Sequence, residues 1–547
     1  MDMINQNLVP FIVVSIFSLI LLGFSAPSEL WALDDSNPLF CISKYGFNQV
    51  FKNSTVTSIN QSNLLDNIKL NNSESNVIEL YENNNTSLEN PSLKQVNSHI
   101  NTDHNCIKGQ KTIDGKLMIL HIDYDEAGQY KESYSIIPSD KDQIVPLYPT
   151  KNLDLQSGSN VSITGFMLNN SLFFDNRLDN STSIIVQDNN DTAMPALEGN
   201  KRAAAILVNL GNENDLSFNN SVISNSLSQL NQYYSINSGN RFILDSDIFG
   251  PYRLNTIDES SPYCPFNSEI TLKNYVDNVS SISDSDVYFP NYDYLILLAH
   301  YSGDYCDMPG LAWNSFDVDT IDTSNGKVSM DLSFIQLLPQ SNSSSLLSVI
   351  GHEIGHNLGL GHANALECRQ ISLPESSINF QPRCIVYEES DPYDIMGQNN
   401  NYHLNAPHLE TLDWLSTSNI LTLTDIADTQ RYTLKPIEMI TDDLKILKIQ
   451  RDIDDFLYIE FRQPITFNQT SGYHGDLFNG SLLHVSFPNR NSSASLLIDA
   501  SPDNRTNFYL SILKPGITFI DPLSNVKIRV IAVNQNPNEL VVEVGHN

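Results

Sequence analysis

Basic residues are scarce in this chain: 30 Lys and Arg stand against 64 Asp and Glu in 547 residues, a formal net charge of −34. A surface this acidic repels a phosphate backbone, which excludes nucleic acid as a partner. Charged residues make up only 17% of the chain, so the imbalance comes from missing Lys and Arg more than from dense acids. Cysteine is also rare, with six in all and no CxxC pair, which removes the zinc knuckle and the thioredoxin-like redox motif. Beyond the first 25 residues no run is long and apolar enough to span a bilayer. No repeat of fixed period is visible, which argues against a solenoid or propeller. A hydrophobic share of 40% and an aromatic share of 9% argue against wholesale disorder. At about 150 residues per domain the length predicts three or four domains.

The one long apolar run, Leu8 to Phe24, is followed by the small residues Ser25 and Ala26 and reads as a signal-peptide core, with cleavage after Ser25. Its n-region holds Asp2 and no Lys or Arg, and an uncleaved helix over residues 8–24 acting as a membrane tether is the alternative. Either way the remainder is expected to be secreted or held at the cell surface. The even number of cysteines agrees, because structural disulfides belong to oxidising compartments. The sequence-local pairing is Cys41 with Cys106, Cys264 with Cys306 and Cys368 with Cys384. Acceptor sequons at Asn53, Asn60, Asn160, Asn180, Asn278, Asn342, Asn468, Asn479, Asn491 and Asn504 fit a glycosylated surface, although an Asn- and Ser-rich chain generates many by composition.

Residues 26–112 are rich in Asn, Ser and Leu and read as a poorly ordered leader. From Lys116 short alternating apolar runs, such as Leu117 to Ile122 and Val161 to Phe166, suggest a small β domain over 113–199 that is a candidate propeptide. Strand and helix signals alternate over 200–424: a fully apolar strand at Ala203 to Asn209, an amphipathic segment at Ser221 to Tyr234 and another strand at Tyr294 to His300. After about Asp428 helical periodicity disappears, and the strand-like runs over 425–547 suggest a C-terminal β-sandwich-like domain.

The chemistry is concentrated in SSLLSVIGHEIGHNL, Ser344 to Leu358, a helical stretch led by Ser and stopped by Gly359. His352 and His356 are four apart, so both project from one helix face and can bind one ion. Glu353 lies beside the first His, where its natural place is against a water on the ion. Gly359 can take φ > 0 and turn the chain so that His362 returns as a third ligand. Three neutral imidazoles leave a fourth position open, as in a catalytic and not a structural zinc site. Downstream, DPYDIMG contains Met396, at the place where the family that this His pattern resembles has a Met-containing turn forming an apolar floor under the ligands.

With HEIGHNLGLGHA (352–363) and SDPYDIMG (390–397), the chain resembles the metzincin zinc peptidases and within them the gametolysin family. Echoes occur at AAAILVNL (203–210), CDMPGLAW (306–313), NAPHLETLDWL (405–415) and FLYIEFRQP (456–464). The resemblance implies an α+β zincin catalytic domain, with a twisted mixed sheet, an active-site helix and a small lower subdomain, flanked by the two β domains. It implies an endopeptidase with one Zn2+ on His352, His356 and His362 and with Glu353 as general acid/base, a role typically worth 10² to 10⁴ in rate. It also implies an edge strand that holds the substrate backbone, for which Gly310, Leu311 and Ala312 are the candidates and an ordinary loop the alternative. Protein substrates, extracellular matrix or cell-wall glycoproteins among them, are the implied partners.

Other residues have blander readings. Some metzincins carry a Tyr metal ligand two residues after the Met, and here that position is Gln398. Asp317, Asp319 and Asp322 are a candidate Ca2+ cluster but lack an EF-hand loop and read as a solvated turn. His300, His403 and His408 read as structural or surface residues and not as ligands. Cys106 is a candidate thiolate lid on the metal, but HNCIKG does not match the usual latch, which favours its disulfide with Cys41. The rival reading of the whole is a non-enzymatic surface or matrix glycoprotein with a vestigial zinc site.

Overall fold

The computed structural model describes residues 39–43, 46–50, 57–59, 104–108 and, with breaks, 110–546; the longest breaks are 124–129, 175–183, 187–196, 211–218, 255–268, 301–308, 314–320, 369–383, 470–475, 487–493 and 501–506. The signal-peptide region, Cys264, Cys306, Asp317 and Asp319 lie outside the described residues. The described residues group into two compact units, one within Met1–Asp114, Val145–Lys151 and Ser162–Ile185, the other within Gly115–Ile144, Asn152–Val161 and Val186–Asn547. Among the described residues the chain is mixed α+β and rich in strand, and no helix is long and apolar enough to cross a membrane.

In the first unit Leu39–Ser43 pairs antiparallel with both Gly46–Val50 and His104–Lys108. The register sets Cys41 directly opposite Cys106. In the second unit Cys368 is likewise opposite Cys384. Opposed Cα atoms in antiparallel strands are about 4.5–5.5 Å apart, inside the range a disulfide can bridge.

The second unit is built on a mixed sheet. Asp331–Gln336, Tyr294–His300, Gly199–Leu210 and Phe242–Leu254 run parallel in that order. Gly310–Trp313 pairs antiparallel with Asp331–Gln336, and Lys111–Asp123 then pairs antiparallel with Gly310–Trp313. Apolar residues fill both faces of the parallel strands, as a sheet covered by helices on both sides requires. Ala203, Ala205, Leu207, Ile296 and Leu298 pack with helices α1 (Asn220–Asn237) and α3 (Ser343–Asn357). Their alternates Ala204, Ile206, Val208, Leu295 and Leu297 pack with α2 (Glu269–Ser283) on the opposite face.

A second sheet of seven strands starts within the residues that follow α3. Ala363–Cys368 pairs antiparallel with Cys384–Tyr387 and parallel with Ser495–Ile498, and the ladder continues through Ser481–Ser486, Asp455–Phe461 and Ile446–Asp452 to Ile420–Leu423. A four-stranded sheet made from Gln430–Leu434, Asn538–His546, Val526–Gln535 and Thr518–Ile520 shares an apolar cluster with it, including Leu447, Leu457, Ile459, Ile528, Val530 and Val542. Chain on both sides of residue 424 thus contributes to one sheet.

Candidate metal centre

Helix α3 is started by a capping box. Asn342 accepts hydrogen bonds from the Ser344 and Ser345 amides, and the Ser345 hydroxyl accepts from the Asn342 amide. Asn342 is one of the sequons, and here its side chain serves the helix. The helix ends where expected: Leu358 is the C-cap, Gly359 has φ 89°, and the Gly359 and Leu360 amides donate to the carbonyls of His356 and Gly355. That left-handed residue turns the chain back so that His362 rejoins the helix face.

His352, His356 and His362 each offer a ring nitrogen, and these atoms lie within 4.8 Å of one another. The Nε2 atoms of His356 and His362 are 3.1 Å apart. Two imidazoles are oriented through their other nitrogen, His352 Nδ1 at 2.9 Å from the Ile395 carbonyl and His356 Nδ1 at 2.9 Å from the Leu360 carbonyl. A proton held on Nδ1 by a carbonyl leaves a lone pair on Nε2, so both rings present their ligating nitrogen inward. All three rings are buried, as is Glu353. Three imidazole nitrogens converging in this way could hold one metal ion.

Two glycines let the floor approach the helix. A β-carbon on Gly351 would fall 2.4 Å from Ile395 Cδ1, and one on Gly355 would fall 2.2 Å from Met396 Sδ. Met396 is fully buried and packs against Gly355 of α3. Its turn is held by two aspartates. Asp394 accepts from the amides of Met396 and Asn405 and pairs with His408 at 3.0 Å. Burial pushes the Asp394 carboxyl up, but His408 and those amides outweigh it and hold the carboxyl below its ordinary range. Asp391 accepts from the Tyr393 amide and pairs with His484 at 2.9 Å. Burial disfavours the His484 cation, yet Glu460 and Asp391 outweigh burial and raise its pKa.

The sequence missed this second network, which ties the floor to later strands. Glu460 accepts from the Ala406 amide, at the start of α4 (Ala406–Thr411), and pairs with Arg462, whose guanidinium donates to the carbonyls of His403 and Leu404. The Ser495 amide donates to the carbonyl of His362, one of the candidate ligands. Asp391 and Asp394 stand in the DPYDIMG motif, but nothing local marks His484, Glu460 or Arg462 as their partners. Tyr393 donates to the Tyr509 carbonyl and lies in the core. His403 and His408 are buried structural residues, as read from the sequence.

Gly310, Leu311 and Ala312 do form a strand beside the site, and Gly310 lies against Glu353. It is an inner strand, not an edge: Ile122, His121 and Leu120 are paired with Leu311, Ala312 and Trp313. His121 was not anticipated as a site residue. Its ring stacks on that of His356, with centroids 4.3 Å apart and planes 3° from parallel. The available signal was one polar residue inside the apolar run Leu117 to Ile122.

No protein-family model matches the chain, and no curated protein matches it. Among solved structures it is similar to metalloproteinase-II from Bacteroides fragilis, at 12% identity over 56% of this chain and 91% of that one, with a TM-score of 0.22.

Proposed function

We propose that the chain is an exported zinc-dependent endopeptidase of metzincin type, similar to gametolysins. The observation that carries this reading is the convergence of the His352, His356 and His362 ring nitrogens, with Glu353 buried next to the first of them on α3. A zinc ion held by three imidazoles supplies a Lewis acid that polarises a carbonyl and acidifies water. The chain's own residues do the rest. Glu353 takes a proton from the attacking water and returns it to the leaving amine. Ile395 and Leu360 fix the imidazole tautomers through their carbonyls, and Met396 keeps the underside of the ligands dry. A non-catalytic matrix glycoprotein with a vestigial site has no need for a buried carboxylate beside the first ligand.

The test is chelator-sensitive hydrolysis of fluorescein-labelled casein, by the chain as isolated and after trace trypsin followed by trypsin inhibitor, alongside zinc content. Glu353→Ala should keep one zinc per chain and lose turnover. An equally active Glu353→Ala protein would sink the assignment, and zinc binding without hydrolysis in every arm favours the glycoprotein.

A further inference from the structure

His362 is the last of the three candidate ligands, and the chain that follows it forms one arm of a hairpin. Ala363–Cys368 pairs with Cys384–Tyr387, with Ala365 opposite Tyr387, so the turn residues Glu388 and Glu389 come back beside residues 363–364. Three hydrogen bonds pin this return. The Glu389 amide donates to Asn364 Oδ1 at 2.8 Å, the Asp391 amide to the Ala363 carbonyl at 3.1 Å, and the Ala363 amide to the Met396 carbonyl at 2.8 Å. Glu389 itself has φ 49°, a left-handed conformation that residues other than glycine rarely take. The outcome is a carboxylate at the metal centre: Glu389 Oε1 lies 3.6 Å from His362 Nε2, and its side chain is only 12% exposed. That ring nitrogen is the one turned towards His356, whose Nε2 is 3.1 Å away. Two donors about 2.0–2.1 Å from one tetrahedral zinc ion stand about 3.3 Å from each other. Both observed spacings are close to that value.

We propose that Glu389 is a fourth protein ligand of the metal held by His352, His356 and His362, entering from the His362 side. The inference rests on the metal centre of the endopeptidase reading and not on hydrolysis. A carboxylate oxygen is an ordinary companion of imidazole nitrogens on zinc, and its charge partly neutralises the ion. The two glutamates near the ligands then have different tasks. Glu353, against Gly310 of the neighbouring strand, serves as the base, whereas Glu389 belongs to the ion. With Glu389 in place the resting centre has four protein donors, and the position left open by three imidazoles is filled.

Metal binding is read in the full-length Glu353→Gln chain, which prevents self-digestion, with Glu389→Gln, Glu389→Asp and Glu388→Gln added singly. Competition with a chromogenic chelator gives the Zn2+ affinity, and Co2+ put in place of Zn2+ reports the donor set through its visible absorption. Glu389→Gln is expected to lower the affinity by about tenfold or more and to change the Co2+ bands. Glu389→Asp keeps the charge but withdraws it by one methylene, and it should weaken binding as well. It also carries the test if the Gln variant fails to fold, which urea unfolding of the metal-free chains shows. Glu388→Gln makes the same charge change one residue away and should alter neither reading. Unchanged affinity in both Glu389 variants overturns the proposal. An unchanged Co2+ spectrum does so too, because Glu389 then stands outside the coordination sphere. An equal loss in Glu388→Gln overturns it as well, by making the effect one of general charge. Casein hydrolysis by the chain with Glu353 intact tests the endopeptidase reading separately.

Discussion

Gly310 sits so close to Glu353 that a β-carbon on the glycine would fall 2.2 Å from Glu353 Oε1 and 2.7 Å from its carboxyl carbon. The strand beside the site and the candidate base on the helix are thus in direct contact, and a side chain at that point would require the Glu353 carboxylate to move. Gly310→Ala should cost about 1–3 kcal/mol through overpacking and displace the carboxylate. The expected pattern is a lowered urea midpoint, unchanged zinc content and a loss of casein hydrolysis both by the chain as isolated and after trace trypsin. An alanine variant with full activity would mean that the contact does not position Glu353.

Metal binding should stabilise the folded chain. A ligand that binds the native state alone contributes about 4 kcal/mol at a thousandfold excess over its Kd. Thermal unfolding of the zinc-loaded chain is therefore expected several degrees above that of the chelator-treated chain. His356→Ala should abolish the difference and Glu353→Gln should retain it. The same zinc-dependent shift in His356→Ala would place the ion elsewhere.

The helix and floor meet through Gly355 and Met396, and this contact has its own test. Gly355→Ala drives a methyl group into Met396 Sδ and should destabilise by about 1–3 kcal/mol. Shortening the partner should relieve part of this, so Gly355→Ala with Met396→Ala should lose less than the sum of the two single changes. Strict additivity in urea unfolding would show that the two side chains do not bear on each other.

How much of this was legible before the structure follows from sequence separation. His352 and His356 share a helix face by periodicity alone, with Glu353 next to the first of them, and Gly359 returning His362 is a local turn, so the candidate ligands could be read from a dozen residues. The end of the helix was legible for the same reason, since Gly359 acts within one turn of it, whereas its start was read at Ser344 and lies at Ser343, capped by Asn342. His121 on His356, and His484 on Asp391, are long-range contacts set by strand pairing. Register across a sheet depends on partners that local patterning does not identify. The candidate Gly310–Ala312 strand shows the limit: the strand itself could be proposed from its sequence, but not that residues 120–122 would take its outer side.

The buried pair Asp391 and His484 connects the floor of the site to strand Ser481–Ser486. Asp391→Asn removes one of the two carboxylates that face His484, leaving Glu460 at 3.8 Å, and breaking a buried pair from one side typically costs about 3–5 kcal/mol. His484→Gln should cost a similar amount, and the double variant much less than the sum. If the later strands hold the floor in place, both single variants should also release zinc faster to a chelator. An unchanged release rate would confine the pair to stability.

His403 gives the chain a defined response to acid. Burial first, and then the Arg462 cation, push its pKa down to about 3. Its ring lies 3.2 Å from Asn237 Oδ1 and 2.5 Å from Thr466 Oγ1. In the unfolded chain the same group protonates near its ordinary value of about 6.5. Between these values the unfolded state binds a proton that the folded state does not. The contribution to stability is therefore complete above about pH 6.5 and is lost as pH falls toward about 3, at up to roughly 1.4 kcal/mol per pH unit. Glu438, pushed up to about 8 by burial, acts in the opposite sense, favouring the fold as pH falls from about 8 to its unfolded value near 4.3. The isolating measurement is accordingly the difference between wild type and His403→Gln. From pH 7 to pH 5 wild type should lose about 2 kcal/mol relative to the variant, read from urea unfolding at the two pH values. Parallel pH dependences in the two proteins would show that His403 is protonated in the folded state.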